Sequence, residues 1–195
     1  TAPLLVATTL LPQMQGGLSA TQDEISWVMT FNILATAVAT PTTGWLVARF
    51  GRRSTMMFCL AGFTFATLMC GLSSTLEQLV FWRIMQGGLG APLIPLSQTL
   101  ILDAYPRRQH NLVLSLYGMS NIMGPVIGPI LGGYLGERYG WQWGFFMVLP
   151  VSSLAYLLFR FFLPPEQTAR TNVSLDWTGF LSLATAIASV QLVLS

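Results

Sequence analysis

Lysine is absent from this chain: all nine basic residues are arginine, and against seven acidic ones they leave a net charge of only +2. So small an excess is not the electrostatic footprint of a nucleic-acid binder. Charge of either sign is scarce, at 8% of residues against about 25% in a soluble domain, while 53% of the chain is hydrophobic. That balance predicts a membrane protein. About 20 apolar residues cross the hydrocarbon core as one helix, and about six or seven such stretches fit into 195 residues.

Other chemistry is thin as well. Cys59 and Cys70 lie on one predicted helix about 16 Å apart, too far to bridge, so they report no redox compartment. One histidine, His110, sits in a polar turn, and the apolar stretches hold no carboxylate pair. No metal centre, cofactor or hydrolytic site is expected, and no enzyme. Gly87-Gly88-Leu89-Gly90 follows no strand and precedes no Lys-Ser/Thr, so it does not cradle phosphate.

What the chain does have is a series of apolar runs: 1–14, 25–48, 55–73, 77–104, 111–135, 144–163 and 178–195. Thr1 to Leu11 before Pro12 makes roughly 17 Å of helix, too short to cross. The first and last runs are therefore read as truncated spans of a longer protein. Arg49, Arg52 and Arg53 follow the second run, Arg107 and Arg108 the fourth, and Arg160 and Arg170 the sixth. The alternate turns carry Asp23, Glu24, Glu77, Glu137 and a single Arg138. By the positive-inside rule the N-terminus and the arginine-rich turns are cytoplasmic, and Tyr139, Trp141 and Trp143 anchor the outer interface. The same placement makes the sequon Asn172-Val173-Ser174 a chance match.

Residues 44 to 51 read GWLVARFG, and 89 positions later residues 133 to 140 read GYLGERYG. The first copy ends a run descending to the cytoplasmic side and the second ends one rising to the outside, which predicts an inverted repeat of three helices plus three. Upstream of the second copy, Ser120, Gly124, Gly128, Gly132 and Gly136 form an i, i+4 ladder; the offset maps its middle members onto Ala35, Ala39 and Thr43. Small residues let helices approach closely in lipid, where no hydrophobic drive joins them.

At these residues the sequence resembles the major facilitator superfamily, and more narrowly its fourteen-helix drug:proton antiporters. Gly44 to Gly51 with Arg52 and Arg53 resembles the signature loop between the family's second and third helices. Ala48 stands where the family usually has Asp, so a gating salt bridge or cap from that Asp is expected to be missing. The bland alternative is that these arginines only set topology. Arg83-Ile-Met-Gln86-Gly87-Gly88 resembles the fourth-helix motif, whose arginine the family implicates in proton coupling. Arg83 lies six residues past Glu77, about 9 Å deep, where an arginine either faces a polar interior with a partner or snorkels to the surface. Gly124-Pro125-Val-Ile-Gly128-Pro129-Ile-Leu-Gly132-Gly133 resembles the fifth-helix motif of exporters; its prolines would kink the helix. Asp176-Trp-Thr-Gly179-Phe resembles the start of the extra helix pair of fourteen-helix members.

The resemblance implies an all-α membrane protein: a six-helix bundle over 1–163, a cytoplasmic linker over 164–177, and the start of a seventh helix from 178 to 195. It implies proton-coupled efflux of small lipophilic or cationic compounds across a bacterial inner membrane. Arg83 would be the coupling residue, and Thr8, Asn32, Gln86 and Asn121 would line the substrate cavity. Partners would be the substrate, protons and the bilayer; some relatives add a periplasmic adaptor, and that partner stays open. Uptake by the same fold, or a non-transporting scaffold or sensor, are the competing readings.

Overall fold

In the computed structural model, residues 22–162 are described, together with 178–180, 182, 184–186 and 189. Thr8, the first run, the linker and the sequon lie outside these residues, as does most of the final run. Every regular element among the described residues is helical.

The second run is two helices. Helix α1 covers Gln22–Ala39 and α2 covers Thr42–Phe50. The expected single span is divided at Pro41, which has no N–H to continue the ladder and instead opens the next helix. The fourth run forms one span, Leu76–Ala104, as expected, with a joint at Pro92 between α4, Leu76–Gly90, and α5, Leu93–Ala104. Between them α3, Arg52–Leu72, runs unbroken for 21 residues. The fifth run, α6, is longer than expected at His110–Tyr139, and continues through Pro125 and Pro129 without a break. The sixth opens as a single turn, α7 at Trp143–Phe146, before α8 at Val148–Phe162.

Caps explain several of these boundaries. Thr75 accepts a hydrogen bond from the Gln78 amide at 3.3 Å, and Glu77 lies in the first turn of α4, where the helix dipole favours an anion. At the far end of α3 the Ser73 hydroxyl donates to the Cys70 carbonyl at 2.7 Å. Within the helices Thr36, Thr64 and Thr67 return their hydroxyls to carbonyls one turn back, so these groups are satisfied without water.

The two copies of the eight-residue repeat end alike. Gly51 (φ 84°, ψ 154°) closes α2 and Gly140 (φ 100°, ψ 157°) closes α6; among the described residues these are the glycines with positive φ. Side chains with a Cβ essentially never occupy that region. Each glycine amide bonds one turn back, to Val47 at 2.9 Å and to Gly136 at 3.0 Å. An aromatic–arginine contact also recurs at equivalent positions: Arg49 lies 5.5 Å from the Trp45 ring, and Arg138 donates to the Tyr134 hydroxyl at 3.2 Å.

Helix α4 packs between α1 and α3, and α8 lies against α3. The helices carry the two repeat ends to opposite poles. Arg52 starts α3 and Trp141 packs beside Cys70 near its other end, roughly 30 Å away along 21 residues. Arg53 also donates to the Arg160 carbonyl, so the ends of α3 and α8 meet at the basic pole. At the other pole Val28, Met29, Cys70, Leu79, Trp141 and Phe145 form a closed apolar cluster.

Candidate functional site

On α4 the buried residues Leu79, Arg83, Gln86 and Gly87 recur at i, i+4, i+7 and i+8, one face of a helix. The opposite face shows Phe81, Ile84 and Met85. A helix that turns apolar groups outward and an arginine inward suits lipid surroundings, where a charge needs company inside the bundle.

The Arg83 side chain is completely buried, which rules out snorkelling to the surface. Its Nη1 donates to Gln86 Oε1 at 3.0 Å, and Gln86 Nε2 donates to Thr67 Oγ1 at 2.7 Å. Thr67 passes its own hydrogen to the Phe63 carbonyl at 2.7 Å. From α1, Asn32 Nδ2 donates to the Arg83 carbonyl at 2.7 Å. The Phe145 ring, from α7, has its centroid 4.5 Å from Arg83 Cζ. Four helices thus meet at Arg83: Gln86 and Phe145 touch the guanidinium, Thr67 holds Gln86, and Asn32 holds the Arg83 main chain. Hydrogen bonds to a charged donor are stronger than neutral ones, and a desolvated cation over an aromatic ring gains about 2 kcal/mol or more.

Close backbone approach makes this possible. A Cβ at Gly87 would stand 2.4 Å from the Asn32 carbonyl oxygen, so only glycine lets α1 lie against α4 at this level. Asn32 and Gln86, expected on a cavity wall, are instead buried in this network, 4% and 1% exposed. Asn121 lies on an exposed face of α6.

At the basic pole, Arg52 forms an ion pair with Asp103 in the last turn of α5. Ala48 supplies no carboxylate, as expected, but the arginine has one from another helix 51 residues on. A lone acid ending an apolar run, level with the arginines, was the signal that sequence reasoning passed over. The pair stands on the wall of a cavity of about 540 Å³ between α2 and α5, lined also by Thr43, Gly44, Val47 and Thr99. No neighbour lies within 4 Å of a Cβ built at Gly44.

Along α6, Gly128, Gly132 and Gly136 are buried on a helix that is otherwise mostly exposed. The last three rungs of the ladder are therefore its covered stripe, while Ser120 is exposed. Gly124, one rung above, is half-buried, as are Pro129 and Gly133 beside the stripe.

Comparison with known proteins places this geometry. The Major Facilitator Superfamily pattern matches residues 4–194. The chain is 35% identical over 189 residues to the multidrug export protein EmrB of Escherichia coli K12, covering 97% of this chain and 37% of that protein. It is 34% identical, over the same shares, to the fatty acid resistance protein FarB of Neisseria gonorrhoeae. The chain thus spans little more than a third of the length of these relatives. In fold it is similar to a peptide transporter crystallised with sulfate (TM-score 0.77, 14% identity, 99% of this chain and 42% of that one). It is also similar to the inward-open xylose transporter XylE of E. coli (TM-score 0.70, 17% identity, 98% and 52%). With its helical bundle, its matched repeat ends and a sequence match over nearly its whole length, the chain belongs to the major facilitator superfamily of membrane transporters.

Proposed function

We propose that the protein is a proton-coupled exporter of small lipophilic or cationic compounds, and that this chain supplies its N-terminal six-helix bundle, 1–163, followed by a cytoplasmic linker, 164–177, and the start of a seventh helix. The observation that carries the reading is the buried Arg83 network. A charge in the bundle core is costly to hold and marks an ion or substrate pathway, and relatives named as export proteins support the outward direction.

Arg83 would act through its field. A substrate or a carboxylate entering the region between the two halves of the full-length protein meets a fixed positive charge. A proton arriving from outside discharges that carboxylate and weakens its hold on the arginine. One half of the cycle then favours substrate release and the other favours uptake from the cytoplasm. Gln86, itself held by Thr67, keeps the guanidinium from following. The arginine-rich pole faces the cytoplasm of a bacterial inner membrane in this reading, with the N-terminus on the same side. Gly124, Pro125, Gly128, Pro129, Gly132 and Gly133 form the seam along which α6 rocks, and Arg52 with Asp103 holds α3 and α5 together until the cycle parts them.

The test is Arg83→Ala and Arg83→Lys in the full-length protein. Both are expected to abolish pH-gradient-driven efflux while the protein still inserts in the membrane. Efflux at the wild-type rate in either variant would refute the role of Arg83.

A further inference from the structure

We infer that Phe145 is the positioning residue for Arg83, and that coupling between proton and substrate requires an aromatic ring at position 145; the inference rests on the reading of Arg83 given above. Nothing in the local sequence marks Phe145. Fifth in the run Trp141-Gln-Trp-Gly-Phe145-Phe, it reads as one more interfacial aromatic. Its place in the fold is different.

Helix α7 is a single turn held at both ends by backbone bonds, from the Gly144 amide to Trp141 at 3.1 Å and from the Met147 amide to Trp143 at 3.0 Å. That turn drives the Phe145 ring inward until it is 2% exposed. Trp141 meets the ring edge-on at 6.1 Å, and Val28, Met29, Cys70 and Leu79 complete the packing. Arg83 Cζ is 4.5 Å from the ring centroid. The ring therefore has little freedom to leave the guanidinium, and it closes the way from the aromatic pole to a side chain that is entirely buried.

An aromatic face does something here that a carboxylate does not. Its quadrupole stabilises the cation, yet it takes up no proton and does not cancel the charge. The guanidinium keeps its charge beside the ring. Phe145 also follows directly on the second repeat arm, Gly133 to Gly140, so movement of α6 reaches Arg83 through this ring. Leucine would keep most of the packing and lose the quadrupole; tyrosine would keep the ring.

The experiment uses the full-length protein reconstituted in vesicles, with tetraphenylphosphonium as the probe. Transport is measured in two modes: driven by an imposed pH gradient, and as counterflow with no net proton movement. For Phe145→Leu the gradient-driven rate is expected to fall about thirtyfold, the loss matching one desolvated cation–π contact. Counterflow should stay near the wild-type rate, which shows that the variant is folded and binds the probe. Phe145→Tyr should restore the gradient-driven rate. If Phe145→Leu does not insert, Phe145→Met, equally without a ring, makes the same comparison. Unchanged gradient-driven transport in the ringless variant, or an equal loss in Phe145→Tyr, would overturn the inference. If Arg83→Lys loses coupling and Phe145→Leu does not, the inference alone fails. If Arg83→Lys stays coupled, or the wild type moves no probe, the reading beneath it fails first.

Discussion

Alanine in place of Gly87 is the smallest change that tests whether α1 and α4 meet where the Arg83 network requires. The added Cβ would lie 2.4 Å from the Asn32 carbonyl oxygen, 2.9 Å from Thr36 Oγ1 and 3.2 Å from Asn32 Nδ2. The nearest of these atoms is backbone, so no side chain can swing aside. To reach ordinary contact α1 must retreat by about 1 Å, and overpacking of this kind costs roughly 1–3 kcal/mol. The same retreat lengthens the 2.7 Å bond from Asn32 to the Arg83 carbonyl, at roughly 0.5–1.5 kcal/mol more. Gly88 is the internal control, because nothing lies within 4 Å of its Cβ position. Gly88→Ala should be neutral or stabilising by up to about 1 kcal/mol, since alanine loses less freedom than glycine in a helix. Thermal unfolding of the full-length protein in detergent reads both variants, and transport assays read the consequence. Equal melting temperatures for the two alanine variants would refute the packing argument, because they differ by one position in sequence and wholly in what they face.

Three further predictions concern the ends and the core. Arg52 and Asp103 are 34% and 58% exposed, so the pair contributes about 0–1 kcal/mol and Arg52→Ala should hardly change thermal stability. The proposed gating role requires instead that transport slow, and that the exchange Arg52→Asp with Asp103→Arg recover it; a stable, fully active Arg52→Ala would refute that role. Gly51→Ala and Gly140→Ala should each cost about 1–3 kcal/mol, because both impose a side chain on backbone at φ 84° and 100°; a neutral result at either position by thermal unfolding would contradict the shared cap. Gln86→Leu removes an acceptor of a buried guanidinium and the donor to Thr67, so unfolding should be easier by about 1–3 kcal/mol. An unchanged melting temperature there would mean that the network does not hold Arg83.

Much of this molecule is readable because it is local. Hydropathy over 20 residues places a span, a glycine that must adopt positive φ ends one, and the i, i+4 ladder of α6 announces which stripe is covered. Arg83 was legible in part: an arginine six residues past Glu77 in an apolar run either finds an interior partner or snorkels, and its burial in the fold chose between them. The proline at 41 was in plain view too, yet the run around it read as a single span, because hydropathy averages over the missing N–H that divides it into two helices.

The chain by itself determined that it crosses a bilayer as helices, with its arginines gathered at alternate turns and the same cap written twice. Those properties depend on neighbours within a few turns and on solvent. Only the tertiary structure decided that Asn32 reaches the Arg83 carbonyl, that Arg52 pairs with Asp103 and that Phe145 lies on the guanidinium. Each joins residues more than 50 positions apart, and a phenylalanine in the core looks the same in sequence as one that faces lipid. What separates them is the crossing of α1, α4 and α7, set by the space a glycine leaves at position 87 and by the turn that follows Gly140.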